Sequence, residues 1–235
     1  MAKHVLLNNI DHKDLRVITA RGADYGDNVM FAASFPAEFR SVQAFYPIVF
    51  RKSADGQFQP LALFGFKDKQ NLFLGPAGWD ATYLPLMMQR QPFLIGVGDQ
   101  QLMMHVDLDS PRISRTTGEP LFREHGGTTE FLERMNSLLL AIHQGFEGIA
   151  PFVAALLEHE LLESFVFDIK LEDGSQNRLA GFYTINEERL TALSGSALEQ
   201  LSKAGHLGAI YMAVASLSHF RALIERQNRL HARDR

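Results

Sequence analysis

The chain has 235 residues, enough for one large domain or two small ones. Apolar residues make up 46% of it, which excludes disorder and permits a packed core. A net charge of -4 argues against a general nucleic-acid binder, and the absence of cysteine excludes disulfides, thiolate nucleophiles and Cys-ligated zinc or iron–sulfur sites.

The first residues, MAKHVLLNNIDHKD, hold no apolar core of signal-peptide length. Val5–Leu7 and Leu15–Ile18 read as short strands, and Arg21–Asp27 as a loop. Val29–Ala33 reads as a strand. A short helix follows over Phe35–Phe39, with Pro36 early, where its missing N–H costs nothing. The clearest local signal is a hairpin: aromatic and β-branched Phe45–Phe50, an Asp55-Gly56 turn, and a return strand Leu61–Phe66. A short piece, Asn71–Leu74, precedes a helix over 80–90 capped by Asp80, with a kink or break expected at Pro85. Pro92–Val97 and Leu102–Val106 form a second strand pair around Gly98-Asp99.

Residues 107–128 read as loop. From Thr129, Phe131, Met135, Leu138, Leu139, Ile142 and Phe146 recur at the spacing of one helix face, with Gly145 and Gly148 ending it. A second helix spans Pro151–Ser164. Another hairpin follows: Phe165–Lys170, an Asp173-Gly174 turn, and Leu179–Tyr183. Asn186 caps a helical turn, and Ser196 with Glu199 forms a capping box. The last helix runs over 205–230, apolar from Leu207 to Leu217. A membrane span needs about 20 apolar residues, so this stretch reads as a buried helix. Its basic end (Arg226, Arg229, His231, Arg233, Arg235) reads as a solvated helix terminus. The expectations are a cytoplasmic protein with no membrane span and no permease role.

The fold class is α+β. The two Asp-Gly hairpins echo one another, each closing on Gly-Phe (Gly65-Phe66 and Gly181-Phe182). Internal duplication and coincidence both account for this, since Asp-Gly is favoured in tight turns generally. On the first reading the chain is one domain, 1–235, with halves at 29–110 and 129–230.

Motifs for chemistry are few. His105-Val106-Asp107 places His105 and Asp107 on one strand face. With a distant second histidine they would form the two-His-one-carboxylate site of a non-haem Fe(II) enzyme. The alternative is a strand edge whose Asp107 or Asp109 bonds nearby backbone. Gly126–Thr129 precedes a helix but lacks the P-loop lysine and reads as an N-cap. Glu158-His159-Glu160 is not a zinc motif, and no G-x-S-x-G element occurs. Trp79, the sole tryptophan, with Tyr83 and Phe73, either lines a ligand pocket or packs in the core.

An ordered set of residues then resembles the SapC family of bacterial proteins. It comprises Tyr46–Phe50, Asn71–Phe73, Gly78-Trp79, Tyr83–Pro85, Arg90 and Pro92-Phe93. It continues through Pro120–Phe122, Gly181-Phe182, Asn186-Glu187, Leu190, Gly205–Leu207, Tyr211 and Ser216-Leu217. The resemblance implies a soluble protein, distinct from the peptide-transport permease of the same name. It also implies a gene neighbourhood of halogenase-like proteins, cupin-like oxygenases and TonB-dependent receptors, and it carries no catalytic residues. Three functions are in view: a non-enzymatic accessory factor binding a peptide or protein partner without a cofactor, an Fe(II) enzyme through His105 and Asp107, and a surface-layer structural protein.

Overall fold

The computed structural model describes residues 3–98, 101–172, 174 and 176–233. The two hairpins read from the sequence build one antiparallel sheet. Its strand order is Leu162–Lys170, Gln176–Ile185, Ile48–Lys52, Phe58–Leu63 and Phe31–Ala33. The hairpins meet where Phe182 pairs with Arg51 and Tyr183 with Phe50. Successive side chains of a strand point to opposite faces, and Ile48, Val49 and Phe50 are all fully buried. Both faces are therefore covered at this central strand. Helices Ile149–Glu158 and Leu207–Ser216 pack on the sheet. Phe152 lies edge-on to Phe39 and stacks on Phe50.

A second, smaller core lies under a three-stranded sheet ordered His4–Leu6, Gln101–Asp107, Phe93–Gly98. Helix Glu130–Glu147 packs on it, burying Phe131, Leu132 and Leu139 against Phe93, Val106 and Leu121. Within the stretch read as loop, Ile113–Ser114 and Glu119–Pro120 flank Arg16–Val17 as two-residue strands. Such short pieces carry no periodicity for a sequence reading to find.

Several expectations need correction. No helix starts at Asp80: the helix is Leu86–Gln89 with Pro85 at its cap, and the Asp80 carboxylate takes Arg226 at 2.5 Å instead. Pro85 ends the matter as a break, since the residue ahead of a proline is steered away from helical backbone. Gly145 lies inside its helix, which continues to Glu147. The helix after it ends at Glu158, and Leu162–Ser164 already belong to a strand. Ser194, not Ser196, caps helix Gly195–Lys203 by accepting from Ala197 N–H at 3.2 Å. The last helix is two, Leu207–Ser216 and His219–Arg233. At the break, the Ser216 and Ser218 hydroxyls donate to the carbonyls of Ala213 and Ala215, competing with the helical ladder. Thr129 and Asn186 cap their helices as read. Asp99, Asp173 and Arg235 lie outside the described residues.

By length and composition, Glu130–Glu158 and Leu207–Leu230 would suffice to cross a membrane. Each is divided into two helices, and each buries one face: Leu132, Leu139 and Phe152 in the first, Ile210, Ala213 and Leu223 in the second. The echo between the hairpins stops at their glycines. A Cβ on Gly65 would meet the Gln70 carbonyl oxygen at 2.6 Å, so close approach demands that glycine. Gly181 instead holds a φ of 83° with open space around it.

Candidate functional site

Phe73 and Trp79 are brought together, but in packed surroundings. Their rings stack 6.3 Å apart at 13°, with Tyr46 and Phe64 edge-on to Trp79. Trp79 Nε1 donates to the Tyr46 hydroxyl at 2.8 Å, and that hydroxyl donates to the Tyr83 carbonyl. The Arg226 guanidinium covers Phe73 at 4.3 Å from the ring centre. Both rings therefore belong to the main core.

Tyr83 differs. Its hydroxyl donates to Glu38 Oε1 at 2.9 Å. Buried Glu38 also accepts from Leu86 N–H and from the Ser34 hydroxyl, each at 2.7 Å. Burial raises the Tyr46 and Tyr83 hydroxyls well above the ordinary tyrosine range, and the charge of Glu38 raises Tyr83 further. Tyr83 is also at the wall of a cavity of about 410 Å³. Tyr83 and Leu84 come from the segment before Pro85, and Phe131 and Met135 from the long helix. Arg21 and Gln91 bring polar groups. The cavity thus lies where the two cores meet.

Beside it is a buried ion cluster that the sequence reading missed. Asp27 and Arg112 are both 0% exposed. Arg112 Nη2 reaches both Asp27 oxygens at 2.7 Å, and its Nη1 donates to the Ile18 and Ala20 carbonyls at 3.0 and 2.8 Å. Asp27 also accepts from Gly22 N–H at 2.9 Å and from Arg21 Nη1 at 3.4 Å. Arg21 is held below the usual arginine range, first by burial and then by the charge of Arg112. The residues lie in loops rich in turn formers, where charged side chains read as solvated. The long-range pairing that buries them leaves no local signal.

His105 and Asp107 stand on the three-stranded sheet, in the other core from Trp79. The His105 ring lies on Gly96, where a Cβ would sit 2.5 Å from Cε1. The Asp107 carboxylate accepts from Asp109 N–H at 3.1 Å. Among the described residues, no group of three His, Cys, Asp or Glu side chains is arranged to hold a metal, so the pair finds no third protein ligand there.

The model of the SapC family matches residues 7–223. No curated protein and no solved structure matches the chain.

Proposed function

We propose that this chain, which belongs to the SapC family, is a non-enzymatic accessory factor that binds a peptide or an extended segment of a partner protein in the cavity between its two cores. The lining of that cavity carries the reading. Tyr83, Leu84, Phe131 and Met135 supply apolar and aromatic surface. Thr19, Arg21 and Gln91 supply hydrogen-bonding groups suited to a peptide backbone. The volume falls within the range of about 300–1,000 Å³ typical of ligand sites. Among the described residues, the lining includes no His, Asp or Glu, the side chains most used as general acids and bases. An accessory role also fits the halogenase and TonB-receptor neighbourhood that the family resemblance implies.

A random-peptide display selection tests the reading. Enriched peptides should bind the wild type and lose binding to Met135→Tyr, which fills the cavity from a half-buried helix position. Failure of any peptide to enrich, or equal binding to Met135→Tyr, contradicts it.

A further inference from the structure

The hydrogen bonds of Arg21 are unevenly spent. Its Nη1 donates to the Met88 carbonyl at 2.9 Å and reaches Asp27 Oδ1 at 3.4 Å. Among the described residues, Nε and Nη2 make no hydrogen bond. Yet no buried side-chain nitrogen or oxygen among those residues lacks a partner. The two nitrogens therefore reach open space, although the side chain is only 15% exposed. Arg21 lines the cavity beside Tyr83.

The charge balance points the same way. Two guanidiniums, Arg21 and Arg112, face the single carboxylate of Asp27. Asp27 is already committed to Arg112 through both oxygens. One positive charge is left over in a largely desolvated place. An excess cation there is costly until an anion offsets it. The Nε–Nη2 side of a guanidinium presents two parallel N–H groups, a geometry that matches a carboxylate oxygen for oxygen. The Gln91 Oε1 accepts from Arg112 Nε at 3.4 Å, and among the described residues its amide NH2 makes no hydrogen bond; Gln91 also lines the cavity.

We propose that the Nε–Nη2 edge of Arg21 is a carboxylate-binding fork, so that the ligand of this cavity is a carboxylate carried on an apolar group. The inference rests on the cavity being the ligand site. Tyr83, Phe131 and Met135 take the apolar part while Arg21 takes the anion. Two sources share this chemistry, the C-terminus of a peptide and a small free carboxylic acid.

The test uses the full-length protein and three probes: a pool of short random peptides without Asp or Glu and with free C-termini, the same pool amidated, and 3-phenylpropionate. Binding is read by calorimetry and by the emission of Trp79, which Tyr46 links to the Tyr83 backbone. The expected result is that the free-acid pool binds at least about tenfold more tightly than the amidated pool. Arg21→Lys and Arg21→Gln should both abolish that preference, because an ammonium cannot form the fork. Equal binding of the two pools overturns the carboxylate fork and leaves the peptide reading standing. Binding of 3-phenylpropionate in an Arg21-dependent way, with neither pool bound, upholds the fork and overturns the peptide reading. No binding by any probe overturns both. The comparison of free with amidated peptides needs no variant, so it stands even if loss of the Arg21–Asp27 contact weakens the fold.

Discussion

Glycine inside a helix normally costs about 1 kcal/mol against alanine, yet Gly145 sits in one and is buried. The Phe35 ring occupies the place of its Cβ, with Cδ2 and Cε2 at 2.3 Å from where that atom would be. Gly145→Ala should therefore lower stability by about 1–2 kcal/mol in urea unfolding, because overpacking outweighs the gain in helix propensity. A stabilised variant would show that Phe35 moves aside freely. The sequence shows a glycine near a helix end and invites the reading of a terminator; only the approaching ring reveals its role. Asp27 poses the same difficulty with a larger energy. Asp27→Asn removes the charge that both Arg112 and Arg21 face, and breaking a buried pair costs about 3–5 kcal/mol. Chemical denaturation of that variant should show a loss in this range; a loss comparable to that of a surface substitution would mean the cluster is more hydrated than its burial indicates. Tyr46 and Tyr83 give a pH signature. Their folded-state ionisation is pushed above that of an unfolded tyrosine, near 10. The stability they confer is intact below about pH 10 and declines as pH rises beyond it, since only the unfolded chain releases these protons there. In an alkaline titration, tyrosinate absorbance from these two should appear together with unfolding; ionisation in the still-folded protein would contradict this.

At the scale of elements, local chemistry was legible and its exact position was not. Thr129 and Asn186 cap helices as their residue types suggest, by accepting from Leu132 and Arg189 N–H groups. Ser194 and Ser196 offer the same hydroxyl two residues apart, and Glu199 favoured the wrong one. Ser194→Ala should cost about 1 kcal/mol, while Ser196→Ala should stay within about 0.5 kcal/mol. A larger loss for Ser196→Ala than for Ser194→Ala in thermal unfolding would return the cap to Ser196. Helix Leu207–Ser216 shows what no local pattern conveys. Ser216 stops it and also accepts from Ile48 N–H at 2.8 Å, tying a helix to a strand 168 residues away.

For the whole molecule, composition and hairpin spacing conveyed an α+β class, and the sheets bear this out. The union of the two hairpins in one sheet depends on the Phe182–Arg51 and Tyr183–Phe50 pairings, and strand order between distant hairpins leaves no periodic trace in a single sequence. The same holds for the candidate site. Tyr83 was named from its aromatic character, but its partners Arg21, Gln91, Phe131 and Met135 come from segments that only the packing of two cores brings together. Phe73 and Trp79, named on the same grounds, turned inward because Tyr46 satisfies the indole N–H within the core. We propose that this junction holds the ligand. The most direct test is amide and side-chain chemical-shift mapping of the full chain with a display-selected peptide. Perturbations should centre on Thr19, Arg21, Tyr83, Gln91, Phe131 and Met135, with His105 and Asp107 unmoved. Perturbations centred on His105 and Asp107, or on the exposed Leu157 and Tyr211 side chains, would contradict it.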